Sequence, residues 1–212
     1  MRYHKVPFGT FSVFLAVLSV GCAPKAKTQV LMPAEINLSD YKTVGVADFE
    51  ETNGDWGRKI ASWLENELIE AKVDGTPYFM VLPRAKINQT LKDHDLAMTG
   101  LTDPKIISQL GQLAGLDAII TGRVHSASNQ EQIYSLREPC AMVTGHLELT
   151  VQFISTTTGR VEVDRNISQQ KVVDSCGIGS PGLVELNYLK EPLSSLAREV
   201  VKEFVRTITP HH

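Results

Sequence analysis

Two runs of alternating apolar and polar residues flank a short turn, and no other stretch narrows the possible folds so much. Leu147, Leu149, Val151 and Phe153 alternate with polar neighbours, Thr156-Thr157-Thr158-Gly159 turns the chain, and Val161, Val163 and Ile167 alternate again. A period of two puts every second side chain on one face, so the segment predicts an antiparallel hairpin, one face buried and the other wet. A half-apolar sheet of this kind needs a helical layer to bury it.

That layer is legible at the C-terminal end. Leu193, Leu196, Ala197, Val200, Val201, Phe204, Val205 and Ile208 repeat at i, i+3, i+4, i+7 over four turns, after Pro192 near the first helical position. Lys42 to Phe49 reads as a buried strand. A helix follows on Ile60, Trp63, Leu64, Leu68 and Ala71, ended by Asp74-Gly75-Thr76-Pro77. Tyr78 to Leu82 is a second strand and Arg84 to His94 a short helix. Asp103 caps another helix with Pro104 at its first position, Gly115 stops it, and Asp117 to Val124 is a third strand. The order β-α-β-α-α-β-β-β-α predicts a single α/β domain with a mixed sheet of about five strands covered by helices.

The N-terminal end follows a different pattern. Arg2, His4 and Lys5 precede an almost wholly apolar run from Phe8 to Val20, and Ser19 and Gly21 lead to Cys22. Basic, apolar, then small is the order of a secretory signal, expected here over residues 1–21. A cysteine next to the cleavage position is the pattern of a bacterial lipoprotein, in which Cys22 takes lipid (palmitate among its acyl chains). The run is short of the roughly 20 residues that span a bilayer. Ala23 follows the cysteine where an aspartate would signal inner-membrane retention, so the expected location is the outer membrane, facing the periplasm. Residues 22–40 are expected to tether a domain at 41–208.

Composition then limits function. The net charge of −3 carries no basic footprint for nucleic acid, and 42% hydrophobic with 21% charged residues suits a globular domain. With Cys22 acylated, Cys140 and Cys176 remain as an even pair in an oxidising compartment, which predicts a disulfide. It would close a loop of about 36 residues and stabilise by roughly 3–4 kcal/mol on the chain-entropy estimate.

Enzymatic motifs are thin. None of His4, His94, His125, His146, His211 and His212 stands at metal-ligand spacing, so neither metal nor catalytic residue is assigned. His125 and His146 could meet across adjacent strands. Asp48 with Glu50-Glu51 could form an acid/base group, though a solvated loop after a strand is the simpler reading. Gly177 to Gly182 copies the letters of a phosphate loop without the flanking strand and helix. Trp56 is expected to pack inward, with a recognition surface as its other role.

Several strings taken together resemble one family. They are Val44-Gly45-Val46-Ala47-Asp48-Phe49, Phe79-Met80-Val81-Leu82-Pro83-Arg84, and the run from Leu110-Gly111-Gln112-Leu113 through Gly115-Leu116-Asp117 to Ile120-Thr121-Gly122, with the hairpin around Thr158-Gly159. In that order they resemble the CsgG-type curli assembly and transport lipoproteins. Relatives of those proteins include outer-membrane lipoprotein activators of penicillin-binding proteins. The resemblance implies the α/β fold already read. It also implies two amphipathic hairpins at about His125–Val143 and Lys171–Leu183, the places where the curli channel builds its barrel. Ser126 to Gln132 does not alternate and Asp174 to Gly182 reads as a loop, which counts against a pore. On this reading Cys140 and Cys176 staple two loops together.

The function expected is that of a non-enzymatic outer-membrane lipoprotein. Its domain would bind a periplasmic or outer-membrane protein in envelope assembly, curli-like secretion or cell-wall synthesis. An oligomeric channel subunit and a regulator of a penicillin-binding protein are the alternatives. No cofactor is implied beyond the lipid on Cys22.

Overall fold

The structure, a computed structural model, describes residues 32–96, 103–135, 140–176 and 191–210. The strands are β1 (Thr43–Val46), β2 (Glu50–Glu51), β3 (Lys72–Val73), β4 (Thr76–Pro77), β5 (Met80–Leu82), β6 (Ala118–Ser135), β7 (Cys140–Ser155) and β8 (Val161–Cys176). The helices are α1 (Trp56–Glu70), α2 (Arg84–Asp93), α3 (Pro104–Ala114) and α4 (Glu191–Ile208). The main sheet runs β5-β1-β6-β7-β8, with β2 added alongside β6. β5, β1 and β6 are parallel, and β6, β7 and β8 are antiparallel. The mixed α/β sheet expected from the sequence is therefore present.

Helices cover the sheet on both faces. On one side α1 contributes Ile60, Ala61, Leu64 and Leu68, and α4 contributes its whole apolar stripe, against Val44, Val46, Ile120, Leu147, Leu149, Val151 and Phe153. On the other, α2 and α3 bring Ile87, Leu91, Ile107 and Leu110 against Ile119 and Ile154. The odd-numbered residues of β7 thus face α1 and α4, as their alternation requires. α3 begins as expected: the Asp103 side chain accepts a hydrogen bond from Lys105 N at 2.9 Å, and Gly115 ends the helix at φ 72°. Asp117 ties the parallel strands together, its carboxylate accepting from the backbone N–H of Lys42 (2.9 Å) and Thr43 (2.8 Å).

Four expectations are corrected. Order starts before Tyr41: Ile36 is buried, Glu35 N donates to Thr207 O at 2.9 Å, and Leu38–Asp40 form a 3-10 turn. Burial of Ile36 and the hydrogen bond to the end of α4 hold this segment on the domain. Asp74-Gly75 turns a small β3–β4 hairpin instead of simply ending α1. Ser126 to Gln132, which does not alternate, nevertheless continues β6 in one unbroken register with β7. Asp174, Ser175 and Cys176 belong to β8, not to a loop. In the last two cases backbone pairing to β7 supplies the order that side-chain pattern did not advertise.

Candidate functional site: the long three-stranded sheet and its open edge

β6, β7 and β8 have 18, 16 and 16 residues, or about 50–60 Å at the usual rise per residue. Strands of this length outrun their cover. The α2–α3 layer reaches only Ile119 and Ile154. Farther along, the same face carries Thr121, Arg123, Thr150, Gln152, Asp164 and Asn166, joined across strands. Gln152 Nε2 donates to Asp164 Oδ2 at 3.2 Å, and Thr150 Oγ1 donates to Asn166 Oδ1 at 2.7 Å.

Two irregularities interrupt β6, one at Val124/Ser126 and one near its end at Ile133/Ser135. Pairing with β7 shifts between Val124 and Ser126, which leaves His125 as the extra residue of a bulge. Its Nε2 lies 2.9 Å from Thr150 Oγ1. Beside it Arg123 Nε donates to Glu50 Oε2 at 2.9 Å. Together these residues line a shallow cleft of about 210 Å³ with Thr121, Gly122 and Gln152. The cleft offers hydrogen bonds; the Thr150 hydroxyl lies within reach of His125 but gives its hydrogen to Asn166 Oδ1, and the one carboxylate is already held by Arg123.

On the opposite face α4 lies across β7 and β8. Leu193 and Pro192 sit directly over Gly145, where a Cβ would stand 2.8 Å from Leu193 N. Lys171 of β8 donates to Ser195 Oγ at 2.8 Å and pairs with Glu199. Hydrogen bonding from Lys171 holds the Glu199 carboxyl below its ordinary value, partly opposed by burial. Beyond α4, β8 ends the sheet. Among the described residues its outer edge has no strand beside it, and Val161 and Val172 are about half exposed there.

The residues singled out in the sequence do not converge. Asp48 Oδ1 lies 2.9 Å from Arg84 Nη1, which directs its hydrogen bond to the Arg58 carbonyl at 2.7 Å, and Asp48 Oδ2 accepts from Asn88 at 3.3 Å. Glu51 accepts from Gly57 N at 2.9 Å, capping α1 in place of Asp55, whose side chain makes no cap. Each carboxylate is thus engaged separately: Asp48 and Glu50 by arginines, Glu51 by a helix end. His146 pairs with Ser128, well along the strand from the His125 bulge, so the two histidines stay apart. Trp56 is half-buried, edge-on to Trp63 at 6.2 Å and under Lys59; it is neither a full core residue nor a bare surface. Among the described residues no cluster of three His, Cys, Asp or Glu could hold a metal. Cys22, the run from Gly177 to Gly182, His211 and His212 lie outside the described residues. Sequence reasoning missed the cleft because a bulge leaves no mark in composition.

The backbone brings one predicted pair together. Cys140 and Cys176 stand directly opposite each other on β7 and β8.

These features define a three-layer α/β domain whose distinctive surface is a long, largely polar sheet ended, among the described residues, by β8. The chain belongs to the family of the curli production assembly/transport component CsgG, which it matches over residues 26–132, about half its length. No curated protein matches it in sequence. Among solved structures it is similar to lipoprotein GNA1162 from Neisseria meningitidis (16% identity, 75% of this chain and 97% of that one, TM-score 0.39). It is likewise similar to the PelC dodecamer from Paraburkholderia phytofirmans (14% identity, 86% and 97%, TM-score 0.42). The NMR structure of E. coli LpoB is similar at 11% identity, covering 82% of this chain and 84% of that one, with a TM-score of 0.40.

Proposed function

We propose that this chain is a non-enzymatic lipoprotein of the outer membrane, acylated at Cys22, whose domain takes a protein partner along the β8 edge. The observation that carries the reading is that edge. The outer side of this sixteen-residue strand, which has no strand beside it among the described residues, together with half-exposed Val161 and Val172, forms a template for strand addition. Membership of the CsgG family supports a role in envelope assembly or secretion. The described residues of the domain begin at Met32. The ten residues from Cys22 to there span at most about 35 Å even fully extended, so the partner must lie near the membrane carrying the anchor. That favours an outer-membrane partner over a cell-wall synthase held at the inner membrane.

A second reading, a subunit of an oligomeric secretion channel, is favoured by the long β6–β7 hairpin. The strands are there, but a lipid-facing band is not. A barrel strand alternates over about 9–11 residues, whereas Ser126, Ser128 and Gln130 fill one face of β6 and Asn129 and Glu131 stand on the other.

Two measurements test the proposal. Metabolic labelling with a palmitate analogue should mark the wild-type chain and not Cys22→Ser, with the label in the outer-membrane fraction. A photo-crosslinking residue at Val172 should give a discrete adduct, whereas one at Leu113, equally exposed on α3, should not. No adduct at 172 would remove the edge from the account. An adduct that proves to be a second copy of this chain would favour the channel subunit.

A further inference from the structure

The register between β7 and β8 is constant from Phe153↔Val163 to Cys140↔Cys176, with no bulge in between. It follows from the turn at Ser155–Arg160, where Gly159 N donates to Ser155 O and Ser155 N to Arg160 O, both at 2.9 Å, and from the one-residue shift between Phe153 and Ile154 just beyond it. The two cysteines form the last rung. Directly opposed residues in an antiparallel pair share a face, with Cα atoms about 4.5 or 5.5 Å apart. Both spacings fall within the roughly 4.4–6.8 Å that a disulfide bridges.

The far rungs need such a lock. α4 covers the pair at Gly145, and Val143↔Val173, with Val143 buried, is the last apolar rung on that face; beyond it the partners are Met142↔Asp174 and Ala141↔Ser175. Past that rung no pair is apolar on both strands to distinguish one register from a slipped one, and polar strands slip readily. From this geometry we infer that Cys140 and Cys176 are a redox clasp, which pins the outer end of the β7–β8 pair and keeps the β8 edge in a single register. This differs from a staple between two loops: the clasp joins neighbouring strands and acts on pairing.

Closure is a thiol–disulfide exchange. One thiolate attacks the disulfide of an oxidant, either a thiol–disulfide oxidoreductase or glutathione disulfide, and forms a mixed disulfide. The second thiolate attacks the protein's sulfur in that bond and expels the oxidant's remaining thiolate. Two electrons and two hydrogens leave the cysteines, and the oxidant departs as its reduced thiols. The inference rests on the exported location proposed above for its oxidant in the cell, while the geometry stands without it.

The mature chain, purified in detergent and reduced, is equilibrated in glutathione buffers of rising oxidising power, alkylated and mapped by mass spectrometry. Cys140 and Cys176 should lose alkylation together and appear as one intrachain linked pair. Amide exchange at 142–146 and 170–173 should slow about tenfold against the reduced chain. Cys140→Ser should stop at a glutathione adduct on Cys176. Thiols that stay free in oxidising buffer, separate glutathione adducts on the wild type, or links between two chains would overturn the clasp. An unacylated Cys22 or a retained leader would instead count against the export reading and leave the clasp result standing.

Discussion

Gly145 of β7 lies beneath Leu193 of α4 so closely that the backbone of one touches the place where the other's Cβ would be: 2.8 Å to Leu193 N and 3.1 Å to its Cα. The neighbours are main chain, which cannot rotate aside. Gly145→Ala is expected to lift the start of α4 and destabilise by about 1–3 kcal/mol, seen as a lower denaturant midpoint with unchanged slope. An unchanged midpoint would mean that α4 does not seat here.

Asp117 holds the start of β1 through two backbone N–H groups, of Lys42 and Thr43. Asp117→Ala strands both donors at the junction of two parallel strands. The expected loss is about 1.5–3 kcal/mol, measured by thermal or chemical unfolding, and Asp117→Asn should recover part of it.

Glu199 gives a pH dependence of known sign. Its folded value is depressed, first by the hydrogen bond from Lys171. The stability it lends is therefore complete above the unfolded value of about 4.3 and is lost as pH falls through the lower folded value. The side chain is 58% exposed, so the effect belongs with solvent-screened pairs, about 0–1 kcal/mol. Glu199→Gln should be slightly less stable than wild type at pH 7, and the gap should narrow as pH falls below the unfolded value and through the lower folded one. A gap that persists at low pH would assign the effect to packing.

Val172 is exposed on β8. Val172→Lys should leave stability within about 0.5 kcal/mol while weakening any association made along β8, because a lysine on an edge strand resists a further strand. Crosslinking yield at a neighbouring edge position, compared between the two chains, checks this. Equal yields would place the contact elsewhere.

Much of the framework could be read in advance. The Asp103-Pro104 start and the Gly115 stop of α3 are signals within one helical turn. The stripe of α4 and the alternation of Leu147 to Phe153 are periodicities a short window holds whole. The opposition of the cysteines was not countable: counting from the turn, where Ser155 meets Arg160 and Ile154 meets Val161, sets Cys140 against Ser175, and the irregularity between Phe153 and Ile154 moves it to Cys176. Ser126 to Gln132 and Asp174 to Cys176 also lack the alternation that would show how far the strands run. The site residues were less legible. Glu50 and Glu51 are adjacent in the chain, yet one serves Arg123 on β6 and the other caps α1, a division of roles no spacing reveals.

Sequence alone therefore determined what is local: the order of helices and strands, their caps and turns, the apolar faces, and the pattern around Cys22. Those depend on backbone preference and side-chain period within a few residues. Tertiary structure alone decided how far the polar ends of β6, β7 and β8 stay paired, which carboxylate meets which arginine, and that β8 is the last strand of the sheet among the described residues. Those outcomes depend on neighbours distant in the chain, whose hydrogen bonds extend a strand where its own side chains are indifferent.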